Sequence, residues 1–426
     1  MQPKFQTPTG MHDILPEDQQ YYEKVYETAK EIAEFYNFAK IDTPILEDSD
    51  LFVKGTGATT DIVQKQMYSL KTRGGDSLTL RPEGTPPIAR AYLQHGMANW
   101  PQPVKLWYYG PFFRCEKPQA GRFRQFWQLG FEVIGEKSSI VDAQIIQMYS
   151  TILKELKIGN TIVEINSIGD IQCRPYYKKT LASYLRNKDS VLCPDCKRRA
   201  RENPLRVLDC KEEKCAAVRA QAPQMVDHLC DECKAHFKEV IEYLDEIGLS
   251  YRLNPYLVRG LDYYTKTVFE IFVEGKEAQA QSALGGGGRY DSLFKMLGGK
   301  DTSAMGGGIG VDRVVAAMKE AGVTFGEEKK VKVFLAQLGY LGKKKSLKLL
   351  EELRKANISV TEAFDRESLK SQMKVADKYA AQFTLILGQK EALEESVLLR
   401  DMESGKQEIL KLETAAVEIK KRLAKK

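Results

Sequence analysis

Three arginines lie in segments that could bind phosphates and carboxylates. Arg259 begins the run Arg-Gly-Leu-Asp-Tyr-Tyr, Arg114 follows an aromatic segment, and Arg313 follows the glycines Gly306–Gly308. The sequence contains neither G-x-x-x-x-G-K-[ST] nor a properly spaced G-x-G-x-x-G, so neither the P-loop nor the dinucleotide motif is available. Guanidinium groups are the alternative, because their planar fork binds two oxygens at once. The sequence therefore predicts a nucleotide site built on arginines.

Basic residues are concentrated between positions 114 and 124. Arg114 precedes a predicted loop, Arg122 and Arg124 follow it, and Glu116 is the one acid in the segment. A guanidinium held at the end of a strand could neutralise a phosphate in a transition state. The alternative is an exposed hairpin with weak ion pairs. Taken alone, this segment favours the exposed hairpin.

Arg313 follows a glycine run and falls in the first turn of a predicted helix. Glycines allow a backbone to approach a ligand closely, and a helix start favours anions. A glycine-rich strand packed tightly against another strand would explain the same residues. Both interpretations stay open at this point.

Several polar residues lie in segments that are otherwise apolar. They are Glu83, Gln128, Glu132, Tyr263 and Tyr264. A buried carboxylate at Glu132 would need a partner, such as a cationic amine or an imidazole, or it would lose its charge. The alternative is that Glu132 faces solvent on an alternating strand, which the residue in isolation favours.

Eight cysteines are present, and six of them fall between positions 193 and 233. A cytosolic location argues against disulfides. The pairs Cys193/Cys196 and Cys230/Cys233 have C-x-x-C spacing that suits a structural zinc ion, and Cys210/Cys215 is a further candidate pair. Free cysteines in a tolerant insertion are the alternative.

The chain has 426 residues, which predicts two or three domains. It has no apolar run near the ~20 residues of a membrane span and no signal peptide at its start, so we expect a cytoplasmic protein. Residues 331–426 hold 20 Lys+Arg and 14 Asp+Glu, which accounts for the whole net charge of +6. This excess indicates either a solvated surface with a Lys-rich tail or a module that binds a polyanion.

The predicted elements place these residues on a mixed architecture. In chain order the sequence predicts a helix starting at Pro16, strands at 39–41 and 78–80, a helix ending at 93, a hairpin of 104–113 and 123–134, a helix near 142–156, strands at 161–165 and 267–273, and a helix at 312–319. Residues 170–250 are polar, helix-prone and rich in cysteine, which predicts an inserted helical subdomain.

The end of the chain alternates strand and helix after a charged break at 326–330. The predicted elements are strands at 331–336, 358–361 and 383–387, with helices at 344–355 and 368–379. This pattern favours a small mixed sheet in a separate domain. We therefore predict one domain over 1–325, which contains the 170–250 insertion, and a second over 331–426.

Together these segments resemble class II aminoacyl-tRNA synthetases, and specifically the histidyl-tRNA synthetase family, over essentially the whole chain. Residues 38–44, 113–126 and 306–313 resemble the three motifs of the class. Residues 257–264 and 283–291 are similar to the histidine-specific signatures, and 10–16 is also family-like. The four glycines at 285–288 are one more than expected, which leaves the loop geometry there open.

The resemblance implies an α+β catalytic domain with an antiparallel sheet, a helical insertion and a C-terminal α/β anticodon-binding domain. It implies a cytoplasmic homodimer that binds ATP, Mg²⁺, L-histidine and tRNA(His). Zinc cannot be carried over, because the insertion varies within the family.

The resemblance also implies roles for particular residues. Arg259 and Arg114 would be catalytic, with Arg259 between the histidine carboxylate and the α-phosphate and Arg114 on the α-phosphate. The residues implied for ATP are Arg114, Glu116, Arg124 and Arg313. Those implied for histidine are Glu83, Gly84, Thr85, Arg114, Gln128, Glu132, Arg259, Tyr263 and Tyr264.

Two other functions need to be weighed. Paralogues of this catalytic domain regulate histidine biosynthesis, binding histidine without charging tRNA; they lack the C-terminal module and the Arg259-type signature. Class II synthetases for proline or threonine share the three class motifs. The C-terminal module and the Arg259 segment argue against the first function, and the Arg259 and Gly285 segments argue against the second. Together they favour a histidine–tRNA ligase.

Overall fold

The computed structural model describes residues 5–118, 121–276, 283–325 and 332–424. The chain forms two compact units, Met1–Thr324 and Phe325–Lys426. Loop positions 119–120, the charged break at 326–330, the predicted strand start at 331 and tail residues 425–426 lie outside the described residues. Within the described ranges, no helix combines the length and the apolar character that crossing a membrane requires.

The first unit contains a large sheet, a small sheet and the helices that cover them. Its strands are β1 (Ala39–Lys40), β2 (Leu46–Asp48), β3 (Tyr68–Lys71), β4 (Ser77–Leu80), β5 (Val104–Phe113), β6 (Gln125–Ile134), β7 (Thr161–Ser167), β8 (Tyr251–Leu253), β9 (Thr265–Val273), β10 (Gly285–Arg289) and β11 (Ala304–Gly310). Its helices are α1 (Pro16–Phe35), α2 (Ser49–Phe52), α3 (Thr85–Gln94), α4 (Ile140–Glu155), α5 (Arg174–Arg186), α6 (Pro194–Glu202), α7 (Leu205–Leu208), α8 (Ala216–Ala220), α9 (Asp231–Glu246), α10 (Leu293–Met296) and α11 (Val311–Glu320). Val53–Gly57 and Ile62–Gln66 form π-helical turns; Met97–Asn99, Glu213–Cys215 and Met225–His228 form 3₁₀ turns.

The large sheet has eight strands in the order β1-β5-β6-β11-β10-β9-β7-β8. Its pairs are antiparallel except for β1 with β5 and β7 with β8. The hairpin β5–β6 sets its register by aromatic residues such as Trp107 opposite Phe131. Tyr149 of α4 packs its ring against Phe131 and Phe269, at 5.7 and 6.1 Å between centroids. The predicted antiparallel sheet is confirmed.

The two glycine runs are neighbouring strands of this sheet. Gly285–Gly288 of β10 pairs with residues 306–309 of β11, and β9 and β6 flank the pair. The segment 285–288, whose geometry the sequence left open, is therefore a strand. The strand is possible because hydrogen bonds to both neighbours offset the entropy that each glycine loses.

The insertion is helical, as its composition predicts. Helices α5 to α9 enclose a core of apolar side chains and cysteines, among them Tyr177, Leu181, Cys196 and Cys233. Because cysteine packs as a small apolar residue, a polar segment with few large hydrophobic residues still forms a core.

The second unit is a five-stranded sheet with helices. Its strands are β12 (Val333–Gln337), β13 (Val360–Glu362), β14 (Phe383–Leu387), β15 (Ser396–Asp401) and β16 (Gln407–Lys411), in the order β13-β12-β14-β15-β16. Its helices are α12 (Gly339–Lys355), α13 (Leu369–Lys378), α14 (Gln389–Leu393) and α15 (Leu412–Leu423). The parallel strands β13, β12 and β14 match the predicted alternation. The antiparallel hairpin β15–β16 and helices α14 and α15 were not predicted from the sequence.

Most predicted elements of the first unit are present, with shifted ends. Strand β6 starts at Gln125 instead of 123, because the backbone N–H of Arg124 donates to Gly10 O at 2.7 Å. Helix α11 starts at Val311, so Arg313 lies in its first turn as predicted.

Candidate active site

Glycines of β11 make room for polar side chains of β6. Gly306 is paired with Glu132, and a Cβ at Gly306 would overlap the Glu132 carboxylate. A Cβ at Gly308 would overlap the amide of Gln128 in the same way. The interpretation as a glycine-rich strand packed tightly against its neighbours is therefore confirmed, and the approach of a ligand to this run stays a prediction.

Glu132 is fully buried, so its alternative placement toward solvent is wrong. Its Oε1 accepts a hydrogen bond from Thr85 Oγ1 at 2.7 Å, and its Oε2 accepts one from Tyr290 Oη at 2.5 Å. Burial raises the pKa of Glu132 to about 8, and the nearby Glu83 carboxylate contributes to the rise. A cationic group would be a favourable partner for this carboxylate.

Glu83 is the second buried carboxylate. Its Oε1 accepts from Thr56 Oγ1 at 2.5 Å and its Oε2 accepts from Tyr263 Oη at 2.6 Å. Burial raises the pKa of Glu83, although these two hydrogen bonds oppose the rise. The Tyr263 ring lies 4.6 Å from that of Tyr264. Glu83 thus fixes the segment that carries both tyrosines.

Gln128 carries a buried acceptor without a protein partner. Its Oε1 has no hydrogen bond among the described residues. Its Nε2 lies 3.5 Å from Tyr108 Oη, at the limit of a hydrogen bond. Because leaving a buried carbonyl unpaired is costly, this atom is suited to a donor on a ligand.

Arg259 lies over the glycine strand β10. It forms an ion pair with Glu270 of β9, and its guanidinium carbon lies 5.8 Å from the centre of the Tyr264 ring. A Cβ at Gly286 would come within 2.9 Å of Arg259 Nη1. Within the described part of the chain, the buried Nε of Arg259 has no hydrogen-bond partner. The guanidinium is thus oriented by Glu270 and keeps a donor for an anion.

Arg114 follows β5 and is held from two sides. Its Nε donates to Pro82 O at 2.9 Å, and its guanidinium carbon lies 5.3 Å from the centre of the Phe126 ring. Burial lowers the pKa of Arg114, although Glu116 and Glu83 raise it. The predicted exposed hairpin is wrong for this arginine, because its side chain is packed and oriented.

Arg313 lies close to other cations. Its Nη1 donates to Ala283 O at 2.5 Å and its Nε to Gly121 O at 3.3 Å. Burial lowers its pKa, and the positive charges of Arg122 and Arg114 lower it further. An anion placed among these three guanidinium groups would relieve their repulsion.

Glu116 and Arg124 have mainly local partners. The Glu116 carboxylate forms an ion pair with Arg122. Arg124 Nε donates to Glu116 O at 3.1 Å, and its Nη1 donates to Thr9 O at 3.3 Å. These contacts order the segment around Arg114. The ATP contacts implied for Glu116 and Arg124 stay predictions.

Three residues that bond to predicted site residues were not themselves predicted from the sequence. Thr56 bonds Glu83, Tyr290 bonds Glu132, and Glu270 pairs with Arg259. Glu270 interrupts the apolar strand Val-Phe-Glu-Ile-Phe, and Tyr290 follows the glycine run, so both had a signal in the sequence. Thr56 had none, because it lies in a π-helical turn far from the other motifs.

The predicted zinc set of Cys193, Cys196, Cys230 and Cys233 is divided between two groups. Cys193 and Cys196 lie with Cys210 and Cys215, and Cys230 and Cys233 lie with Cys173 and Asp170. The prediction was wrong because each C-x-x-C pair begins a different helix, α6 or α9. Spacing identifies the pairs but not the partners that folding brings to them.

Two family models match the chain, one for each unit. The model described as histidyl-tRNA synthetase matches residues 10–314, and the one described as anticodon binding domain matches 332–422. A histidine–tRNA ligase of Dehalococcoides mccartyi is 44% identical over 421 residues, which cover 98% of this chain and 100% of the relative. One of Halothermothrix orenii is 42% identical over 414 residues, covering 97% and 98%.

The solved structure of apo histidyl-tRNA synthetase from S. aureus is similar to this fold. Its TM-score is 0.78 at 33% sequence identity, and the match covers 98% of this chain and 100% of that one. Similarity in sequence and in fold thus extends over nearly the full length.

Proposed function

The chain belongs to the histidyl-tRNA synthetase family and acts as a histidine–tRNA ligase, and we propose that the site described above performs both steps of the reaction. First, the carboxylate of L-histidine attacks the α-phosphorus of ATP, which forms histidyl-adenylate and releases pyrophosphate. Then a terminal ribose hydroxyl of tRNA(His) takes the histidyl group and AMP leaves. The observation that carries the proposal is that one short segment, 259–264, joins the guanidinium of Arg259 to the tyrosine bonded to Glu83.

Histidine recognition falls to the buried polar groups. Glu83 and Glu132 supply negative charge for the α-amine and the imidazole, and Gln128 supplies an unpaired acceptor. Gly84, Thr85, Tyr263 and Tyr264 complete the pocket around them. A site with buried polar groups rejects analogues that cannot pair with them, because those groups would stay unsatisfied.

Activation falls to the arginines. Arg259 neutralises charge between the histidine carboxylate and the α-phosphate, and Arg114 binds the α-phosphate. Arg313, close to Arg122, binds the γ-phosphate, and Glu116 and Arg124 shape the ATP loop. This chemistry depends on positioning and charge neutralisation, which rigid guanidinium groups provide without a general base.

The metals have separate roles in this proposal. Both metal-ligand groups among the described residues are rich in cysteine, which suits zinc and not magnesium. Mg²⁺ would be held mainly by phosphate oxygens of ATP, and it would help to hold that substrate. A structural zinc ion would be held by Cys193, Cys196, Cys210 and Cys215, since Cys193 and Cys210 sulfurs lie 3.8 Å apart.

We also propose the remaining family properties for this chain: a homodimer, a cytoplasmic location, a catalytic domain over 1–325 and an anticodon-binding domain over 331–426 that meets tRNA(His). The positive charge of the last quarter of the chain supports contact with a polyanion. The non-charging regulatory alternative is not favoured, because this chain has both the Arg259 segment and the C-terminal domain.

Charging of purified tRNA tests the function. The protein should attach labelled histidine to tRNA(His) in the presence of ATP, after histidine-dependent exchange of ATP and pyrophosphate. Exchange without charging would favour the regulatory alternative. Exchange that depends on proline or threonine, or no exchange with any amino acid, would contradict the proposal.

A further inference from the structure

We propose that Asp170, Cys173, Cys230 and Cys233 form a second zinc site, which holds the histidine-binding segment in place. One ligand atom from each of these residues lies within 4.8 Å of the others. They come from two distant parts of the chain, the turn after β7 and the start of α9. This site is separate from the group around Cys193 and was not indicated by C-x-x-C spacing alone.

The sulfur positions fit a tetrahedral ion. Cys173 Sγ lies 3.8 Å from Cys230 Sγ and 3.6 Å from Cys233 Sγ. With zinc–sulfur bonds of about 2.3 Å, the edge of a tetrahedron is about 3.8 Å. A disulfide would need about 2.05 Å, so these are unbonded sulfurs. The three sulfurs are therefore spaced as ligands of one ion.

The fourth ligand and the surrounding hydrogen bonds also suit zinc. Asp170 Oδ1 lies 3.3 Å from Cys173 Sγ, and the backbone N–H of Asp170 donates to that sulfur at 3.3 Å. The same carboxylate oxygen accepts from the backbone of Gln172 at 2.9 Å. Hydrogen bonds of this kind orient the ligands of a metal. Asp170 and Cys230 are partly exposed, which leaves a path for the ion to enter.

The turn that carries Asp170 and Cys173 is bonded to the start of β9. Arg174, next to Cys173, donates from Nε to Ile168 O at 3.1 Å and from Nη2 to Tyr264 O. The backbone N–H of Lys266 donates to Gly169 O at 2.8 Å, and that of Ile168 donates to Lys266 O at 2.8 Å. The first ligand pair is thus directly connected to Tyr264.

The second ligand pair is connected to the same segment. Glu232 lies between Cys230 and Cys233, and its Oε1 accepts from Lys266 Nζ at 2.7 Å. Lys266 has a φ of +49°, a left-handed conformation that costs energy in a residue other than glycine. Such a conformation persists only where surrounding contacts hold it. Both halves of the metal site supply those contacts.

The ion would therefore act as a positioning device for the pocket. By joining the turn at 170 to the start of α9, it fixes both anchors of residues 264–266. Loss of the ion would free Tyr264 and weaken histidine binding while leaving the ATP contacts of Arg114 and Arg313 intact. This second part rests on the proposed function, whereas the presence of the ion does not.

Metal analysis tests the site independently of activity. Protein purified without chelators should contain two zinc ions per chain, as measured by elemental analysis and by native mass spectrometry. Cys173→Ser should lose one ion, its matched control Cys193→Ser should lose the other, and the double variant should lose both. A wild-type content of one ion that disappears in Cys193→Ser would overturn the proposal, and a wild-type content of no zinc would do so even if a variant fails to fold.

Kinetics then test the positioning role. In Cys173→Ser with one ion lost, KM for histidine in pyrophosphate exchange should rise on the order of tenfold, with little change in KM for ATP. Lys266→Met removes the ion pair with Glu232 but no metal ligand. It should keep both ions and raise KM for histidine less than Cys173→Ser does. Equal KM values for histidine in wild type and in the one-ion variant would overturn this role. Absence of exchange in wild type with two ions bound would instead contradict the proposed function.

Discussion

Gly306 of β11 lies opposite Glu132 of β6, and the Glu132 carboxylate occupies the space that a side chain at position 306 would fill. This relationship explains why a glycine run appears in a strand beside the proposed histidine pocket. The strand is not a phosphate loop. Its glycines admit polar groups from neighbouring strands without opening the sheet.

Gly306→Ala should therefore damage histidine binding. The added methyl group would overlap the Glu132 carboxylate and displace it, and a displacement of about 1 Å can cost on the order of a hundredfold. We expect KM for histidine in pyrophosphate exchange to rise by that order. The matched control is Gly74→Ala, because a Cβ at Gly74 meets only ordinary contacts near 3.6 Å. Equal effects of the two substitutions would contradict the role of Gly306.

Glu132→Gln should change how stability depends on pH. Burial raises the pKa of Glu132 from 4.5 to about 8, so the folded protein binds this proton more tightly than the unfolded chain does. The group therefore lowers the free energy of unfolding as pH rises from about 4.5 to 8. The variant lacks this titrating group and should lose this dependence. Its free energy of unfolding should therefore rise relative to that of wild type by on the order of a few kcal/mol between pH 4.5 and pH 8.

Urea unfolding of both proteins between pH 5 and pH 8.5 measures this difference, with the exposed Glu155→Gln as control. If the difference in free energy of unfolding between variant and wild type stays constant with pH, Glu132 titrates at its ordinary pKa. The same variant should bind histidine poorly, since the cationic ligand would lose its carboxylate.

Arg313→Gln should weaken ATP binding more than histidine binding. Arg313 lies near Arg122 and Arg114, and a phosphate among them would accept charge-assisted hydrogen bonds. Loss of one such bond should raise KM for ATP about tenfold or more. The control is Arg186→Gln, which removes an exposed arginine at the end of α5. A rise confined to KM for histidine would place Arg313 in the amino-acid pocket instead.

The elements that the sequence predicts correctly are those that local chemistry determines. Helix α1 begins at Pro16 because proline suits the first turn, and its buried face carries Val25, Ala29 and Ile32 as the helical spacing predicts. The same spacing places Phe35 on this face, but Phe35 is exposed at the end of the helix. The hairpin β5–β6 follows from two aromatic and β-branched runs. The residue types and spacing marked the arginines and the polar residues as candidates, and the resemblance implied their roles.

Features that depend on pairing between distant parts of the chain were not predicted. The sequence at 285–288 does not indicate that β9 and β11 will flank it, so the geometry of the four glycines stayed open. Two C-x-x-C pairs were assigned to one ion, whereas folding gives each pair other partners, including Asp170 and Cys173. Thr56 contacts Glu83 only through the tertiary fold.

Arg259→His tests the central claim most directly. Single-turnover formation of histidyl-adenylate should slow by on the order of a hundredfold or more, because a donor to developing charge is lost. Histidine affinity, measured by calorimetry, should change little, and Arg186→His should leave both quantities unchanged. This result would place Arg259 at the reacting carboxylate and phosphate. An unchanged rate of adenylate formation, or a slower rate explained wholly by lost histidine affinity, would contradict that placement.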